Sequence, residues 1–388
     1  MTAESPPASG RPATTVVVNA GSSSLKVAVL NPDETVAGAL DLDRWDGSPD
    51  HLELAGFLAS AAPSAGVVVH RVVHGGSTFS QPVLIDDKVV AAIGELSELA
   101  PLHQPRALAG IYAARRALPD VPAVACFDTA FHAELPVAAA RYALPAAWTQ
   151  RFGLRRFGFH GLSHAYATGR AAQLLGSDLA DLRIVSCHLG AGASLAAVRG
   201  GHSQDTTMGF TPLEGLVMAS RSGSVDPGLI IWLLEHGRLS LDEVSAGLEQ
   251  ESGLAGLSGI PSGDMRDVLA AMQSGDQAAK LAIEVYLHRL RREIAAMAAA
   301  MNGLDALVFT GGIGEHSPEI RTAAADGLEF LGVRLDQDRN QATADADISD
   351  LAATVSTVVV TAREDIEMAR QARAVLASRG DRSNSADG

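Results

Sequence analysis

Only two cysteines, Cys126 and Cys187, occur in the 388 residues, and each lies in an apolar, strand-like run. That placement favours buried free thiols over a disulfide and fits a reducing cytoplasm. No apolar stretch approaches the ~18 residues needed to cross a bilayer, so no membrane partner is expected. The opening MTAESPPASGRPATT has neither the basic n-region nor the apolar h-region of a secretory signal. Basic residues are also scarce: 30 Lys and Arg stand against 45 Asp and Glu, for a net charge of −15. Such a balance disfavours nucleic acid, whose binding depends on neutralising phosphates. A small anionic substrate stays open, because local arginines hold an anion against a negative background.

Three signatures are missing as well. No stretch fits the P-loop spacing G-x-x-x-x-G-K-[ST], and no dinucleotide fingerprint with its acid about 20 residues on is present. The pairs His70/His74 and His160/His164 have the i, i+4 spacing of a zinc helix but lack its glutamate. His70 and His74 lie in a β-branched run, HRVVH, and FHGLSH contains a glycine turn. Phosphate or oxyanion donation by one or two of these histidines suits the pattern better than zinc.

What remains is ample material for a folded α/β protein. Hydrophobic residues make up 47% and charged residues 19%, and the length suggests roughly two or three domains. Residues 1–13 and the end from about 378, rich in Pro, Ser, Gly and Asp, read as frayed ends. Between them TTVVVN (14–19) and LKVAVLN (25–31) predict strands around a small-residue turn, and PRALAGIYAARRALP predicts a helix. VPAVACF (121–127) predicts a buried strand ending at Asp128, and Ser163 an N-cap for a helix through Leu175 stopped by Gly176. A long amphipathic helix is expected over about 276–301, then the strand DALVFT, the loop GGIGEH and a new helix capped at Ser317-Pro318.

RIVSCHLGAGASLAAV (183–198) repeats the layout of TTVVVNAGSSSLKVAV: apolar strand, polar residue, small-residue turn, apolar strand. Asn19 and His188 occupy equivalent places. A duplicated domain would give each copy a hairpin whose turn approaches a ligand; glycine-rich turns also match by chance. Three such turns, NAGSSS, HLGAGAS and GGIGEH, each follow an apolar strand. Backbone N–H groups at glycine, with serine hydroxyls, cradle phosphates, so the three together favour nucleotide binding.

Four charged residues have telling contexts. Arg71 sits inside the apolar VVVHRVVHGG, and Arg221 in the small-residue loop MASRSGSVDPG. Each is open to two readings, a structural ion pair or a planar clamp on carboxylate and phosphoryl oxygens. Asp128 and Glu364 follow apolar runs, where strand-end carboxylates meet ligands in α/β proteins. Both are candidates for Mg²⁺, and equally for helix caps or solvated loop acids.

Read in order, seven motifs resemble the acetate kinase family: VVVNAGSSSLK, HRVVHGG, PLHQP, FDTAFH, RRFGFHGLSH, DTTMGFTPLEGL and FTGGIGE. The resemblance runs from about residue 15 to 372. It implies an α/β fold of two related actin-like (ribonuclease H-like) domains with a nucleotide cleft between them. The first would be 14–152 plus 365–380, the second, carrying the nucleotide site, 153–364, with 1–13 and 381–388 as flexible ends. It further implies a homodimer, ATP as co-substrate, and Mg²⁺ or Mn²⁺. By resemblance Arg71 and Arg221 hold the carboxylate and the transferring phosphoryl group, His160 donates to that group, and Asp128 organises the metal with Asn19 and Glu364. Asn19, Ser22, Ser24, Lys26, His188, Gly190, Gly192, Gly312 and Gly314 would meet the nucleotide, and Val73, Leu102, Phe159 and Pro212 would form an acetate pocket. His103 resembles a further active-site histidine.

The departures from that pattern lie on the nucleotide side. Ala191 replaces a usual asparagine, Ala219 a glycine, Ser224 an acid and His316 an asparagine, and the motif around Glu364 reads AREDI. The activity implied is transfer of the γ-phosphoryl group of ATP to acetate. Propionate kinases are close, and a non-enzymatic actin-like ATPase would share the fold. Acetate is already ionised at pH 7, its pKa being about 4, so no general base is needed and direct in-line transfer is expected.

Overall fold

The structure, a computed structural model, describes residues 14–21, 24–43, 45, 47–48, 51–61, 65–101 and 103–386. Two compact units emerge. One combines the chain up to Gly75, Gln81–Phe127 and the chain from Asp365; the other combines Gly76–Ser80 with Asp128–Glu364.

The first unit is built on a six-stranded sheet. Its strands are β1 (Thr14–Ala20), β2 (Ser24–Leu30), β3 (Val36–Asp43), β4 (Ala65–Val72), β5 (Val83–Leu84) and β6 (Ala123–Phe127), in the order β3-β2-β1-β4-β6-β5. β1, β4 and β6 run parallel, while β2, β3 and β5 pair antiparallel. Central parallel strands are covered on both faces, which is why TTVVVNA and AVACF read as continuous apolar runs rather than alternating ones. Val16, Val18, Leu25 and Val27 pack with Trp45, Leu54 and Leu58 in one core.

The second unit repeats this plan. β7 (Arg183–Leu189), β8 (Ala193–Arg199), β9 (His202–Thr206), β10 (Ala306–Thr310), β11 (Ala346–Asp347) and β12 (Ser356–Val359) form the order β11-β12-β10-β7-β8-β9. Read from β9, every neighbour and every direction matches the first sheet. β1 and β7 even share a burial pattern, and Asn19 and His188 are the half-buried sixth residue of each. The repeat seen in the sequence is a repeat of topology.

Several local expectations are corrected. Ser163 does not cap its helix: the helix spans Gly161–Leu174, His160 holds the N-cap position, and Ser163 lies in the first turn with its hydroxyl turned toward β7. Gly176 does stop the chain, at φ +61°. GGIGEH is not a loop but the short helix Gly311–His316, entered directly from β10. At Gly311 φ is +77°, and a Cβ there would lie 2.8 Å from the Leu189 carbonyl oxygen, so only glycine permits that abrupt entry.

The units divide at Phe127/Asp128, earlier than the boundary at 152. The segment after Asp128 is tied to the rest of the second unit by polar anchors that no local pattern announces. A His132 ring nitrogen lies 2.8 Å from Ser203 Oγ, and the Tyr142 hydroxyl donates to Glu214 at 2.7 Å. The last helix, Glu364–Ala386, continues past the frayed end expected from 381. Extending a helix already anchored by buried Ile366, Met368, Ala369 and Ala372 is far easier than starting one. The other expected frayed end, 1–13, lies outside the described residues.

Candidate functional site

The chemistry of the second unit gathers where the helix Gly161–Leu174 begins. His160 has φ +55° and ψ 24°, a left-handed conformation that costs a non-glycine residue energy and marks positions under constraint. The constraint is next door. The Gly161 N–H donates to the Asp128 carbonyl at 2.9 Å, and a Cβ at 161 would come within 2.1 Å of that oxygen. Asp128, 1% exposed at the end of β6, and the helix start are therefore packed backbone to backbone.

His160, Ser163 and His164 share one face of the helix entry by their i, i+3, i+4 spacing. They meet Ser186 and His188 of β7, and Ser194 of β8, which pairs directly with His188. His160 Nδ1 lies 2.9 Å from Ser194 Oγ, and His164 bridges Ser186 (2.9 Å, Nδ1) and Ser194 (2.8 Å, Nε2). Ser163 Oγ sits 2.7 Å from His188 Nδ1, and the His160 and His188 rings stack at 4.3 Å. Burial pushes His132 down to about 4 and, aided by the neighbouring His132 and His188 rings, holds His164 well below its ordinary value. Both rings are neutral at pH 7. The i, i+4 histidine pair thus serves serines, and among the described residues no group of three or more His, Cys, Asp or Glu is placed to hold a metal.

Arg221 approaches from another loop. That loop is pinned by backbone bonds from Ala219 to Ala191 (3.0 Å) and from Ser222 to Leu248 (3.0 Å). A Cβ built on Gly192 would stand 3.6 Å from His160 Nε2 and 3.7 Å from Arg221 Nη1, so imidazole and guanidinium converge on the space this glycine leaves open. Burial lowers the Arg221 pKa, and Glu249 acts on it only weakly in the opposite sense. Its side-chain contact is the Met218 thioether at 3.9 Å, and among the described residues no carboxylate forms an ion pair with it. The structural ion-pair reading of Arg221 fails; a half-buried cation aimed at open space suits an anion.

Beside this point lies a cavity of about 730 Å³ lined by Gly190, Ala191, Ala219, Gly312, Ile313 and His316, with Tyr286 and Met265 among its further walls. A Cβ at Gly312 would meet nothing within 4 Å, whereas Gly314 is buried against Phe309. Three of the four single-residue departures noted above, Ala191, Ala219 and His316, share this wall. Ser224 does not: its hydroxyl accepts from the Gly215 N–H at 3.0 Å and holds the loop. The walls contributed by 262–273 and Tyr286 had no signal in the sequence.

In the first unit, Arg71 near the end of β4 donates from Nη1 to Asn19 Oδ1 at 3.3 Å, joining two adjacent parallel strands at their carboxyl ends. Lys26, paired across the hairpin with Asn19, forms an exposed ion pair with Asp41 at 3.2 Å. The Ser24 carbonyl accepts from Gly21 N–H at 2.8 Å, closing the turn. Val73 is 7% exposed and His103 is the N-cap of the helix Gln104–Ala117. In the second unit Phe159 is 2% exposed and Pro212 half-buried. Glu364 opens the last helix, where the dipole favours an acid. Ser22 and Leu102 lie outside the described residues. Asn19 in the first unit and Asp128 and Glu364 in the second each carry oxygen donors of the kind a hard cation such as Mg²⁺ accepts.

Comparison with known proteins agrees with the motifs. Residues 50–370 match the family described as the acetokinase family. The chain is 52% identical over 322 residues to an acetate kinase of Synechococcus sp., covering 83% of this chain and 79% of that protein. The structure of the Porphyromonas gingivalis acetate kinase superposes with a TM-score of 0.87 at 34% identity, over 94% of this chain and 100% of that one. A propionate kinase from Francisella tularensis gives 0.86 at 35% identity, over the same shares. With the duplicated sheets and the converging His160 and Arg221 already in place, these matches make the conclusion plain: the chain belongs to the acetokinase family.

Proposed function

We propose that this chain reversibly transfers the γ-phosphoryl group of ATP to acetate, giving acetyl phosphate and ADP. The observation that carries the reading is Arg221, a half-buried guanidinium without a carboxylate partner among the described residues, facing His160 across the space at Gly192. That space adjoins a cavity of a size suited to a nucleotide.

Transfer of a phosphoryl group to an ionised carboxylate asks little covalent chemistry of the protein. The nucleophile is already deprotonated at pH 7, so the work is to hold two anions in line and neutralise the equatorial oxygens. Arg221 supplies a planar fork for those oxygens, and a His160 ring N–H donates a hydrogen bond to them. Arg71, oriented by Asn19, is the second guanidinium assigned to the anions. Gly190, Gly192 and Gly312, with His188, Gly314, Ser22, Ser24 and Lys26, are assigned to the nucleotide; Val73, Leu102, Phe159 and Pro212 limit the length of the acid. Asn19, Asp128 and Glu364 would hold Mg²⁺, which supplies charge neutralisation on the phosphates when bound. Transfer is direct, with no phosphoenzyme.

The protein acts in the cytoplasm, a reading supported by its two buried cysteines, neither of them in a disulfide. Among the described residues no helix is long and apolar enough to cross a membrane. It pairs as a homodimer: the helix Pro227–Glu235 buries none of its residues and presents Ile231 and Trp232, each 55% exposed, which a second copy would cover. The deciding experiment traps acyl phosphate with hydroxylamine, using ATP, Mg²⁺ and a panel of short carboxylic acids. Acetate should give the highest kcat/KM, propionate less and butyrate least. Butyrate exceeding acetate, or ATP hydrolysis indifferent to any acid, would overturn the assignment.

A further inference from the structure

We infer that Ser194 and His164 are positioning residues: the chain Ser186–His164–Ser194–His160 fixes the tautomer of His160, so that its Nε2 carries the proton that meets the transferring phosphoryl group. The inference rests on the role proposed for His160 and extends it to three residues that role does not include.

The geometry is a run of three short contacts. Ser186 Oγ lies 2.9 Å from His164 Nδ1, His164 Nε2 lies 2.8 Å from Ser194 Oγ, and Ser194 Oγ lies 2.9 Å from His160 Nδ1. Ser186, His164 and Ser194 are all 0% exposed, so water does not complete any missing bond. A neutral imidazole has one N–H and one lone pair, and a serine hydroxyl has a single proton. His164 is held neutral by burial, with the rings of His132 and His188 adding to the effect. Its two bonds must therefore point the same way along the chain.

Ser194 couples the rings. It has no third partner among the described residues, so accepting from both imidazoles would leave its own proton buried and unpaired. Only two directions satisfy both rings and Ser194, and the second of them leaves the buried Ser186 proton without an acceptor among the described residues. In one, Ser186 O–H donates to His164 Nδ1, His164 Nε2–H donates to Ser194, and Ser194 O–H donates to His160 Nδ1, leaving the His160 proton on Nε2. In the other, every bond reverses and a neutral His160 presents the Nε2 lone pair. That lone pair would face the space beside Gly192 and Arg221, where anionic oxygens bring lone pairs of their own. The first direction is the one compatible with phosphoryl transfer. The helix entry supplies His160 and His164, and the β7–β8 hairpin supplies the serines, so the tautomer is set by packing two elements together.

The test reads the tautomer directly. In the full-length protein labelled with ¹⁵N-histidine, at about pH 8 and thus above the ordinary imidazole pKa of ~6.5, His160 should show protonated Nε2 and bare Nδ1. Ser194→Ala should leave a mixture of tautomers and lower kcat by ~10-fold or more, with both KM values within about twofold, as expected for an interaction made chiefly in the transition state. His164→Gln, which keeps an N–H near the Nε2 position, should retain more of kcat than His164→Leu. A wild-type His160 protonated on Nδ1, or an unaltered tautomer in Ser194→Ala, would overturn the chain and leave the site reading standing. Near-normal kcat in His160→Ala would overturn both the site reading and the purpose given to the chain. The wild-type spectrum decides even if a variant fails to fold.

Discussion

At the scale of single residues, the decisive quantity is what a charged group lacks. Arg221 has lost much of its water and gained a thioether instead of a carboxylate, so its charge is available to an incoming anion. Arg221→Ala is expected to lower kcat by at least ~100-fold, the loss typical of one preorganised donor to transition-state charge. Arg221→Lys should recover little of it, since a point charge does not replace the planar fork. Steady-state kinetics on the two variants check this; near-normal kcat in the alanine variant removes Arg221 from the site. Ala191 presents a gentler case. Its side chain is exposed and lines the cavity, so an asparagine there meets open space rather than packed atoms. Ala191→Asn should lower the KM for ATP several-fold, as one hydrogen bond to a charged group contributes ~1.5–3 kcal/mol, and leave the KM for acetate unchanged. An unaltered KM for ATP would separate this turn from the phosphates.

At the scale of elements, the entry to the helix Gly161–Leu174 does the organising. HGLSH contains the whole i, i+3, i+4 face, although a glycine inside such a pattern suggests a turn and not a helix. Here Gly161 is needed for closeness: a Cβ would collide with the Asp128 carbonyl at 2.1 Å and with Phe131 Cβ at 2.7 Å. Gly161→Ala must therefore move the helix start, and with it His160. The expectation is a fall in kcat of ~100-fold or more from misplacement alone, with a lower melting temperature. Wild-type kinetics in a fully folded Gly161→Ala protein would show that the close approach is incidental. The same logic explains why Ser163 looked like a cap. Its type fits one, but the hydrogen bond it makes is to His188, 25 residues away.

At the scale of the whole molecule, the buried rings of His70, His132 and His164 are held neutral in two different units. Burial pushes His70 down to about 3 and His132 to about 4, and His164 lies well below its ordinary value. The sign follows from counting protons. Between roughly pH 6.5 and pH 4 the unfolded chain binds protons at these positions that the native state refuses, so stability rises with pH across that window. The contribution is fully present above ~6.5 and is lost as the pH falls toward the folded values. Asp205 and Glu367, whose carboxyls burial raises, oppose this only nearer the carboxylate range. The thermal midpoint should thus drop steadily on acidification below about pH 6.5. His70→Leu should flatten that dependence by about one proton's worth. A midpoint flat from pH 7 to 5 would contradict the burial of these rings.

What the sequence determined by itself was whatever depends on short-range order: apolar runs for the central strands, the matching layouts of β1 and β7, and the motifs that placed the chain in its family. Arg71, Arg221 and the glycine turns stood out because their residue types are unusual where they stand, His188 through the repeat, and His160 through the family resemblance. Tertiary structure alone decided which polar groups find each other. Ser186, Ser194 and His164 are ordinary residues until a helix entry is laid on a hairpin. The segment after Asp128 joins the second unit through bonds to Ser203 and Glu214, tens of residues away. Hydrophobic patterning carries a local period that can be read along the chain, whereas hydrogen-bond partnership is a property of distance in space and leaves no period behind.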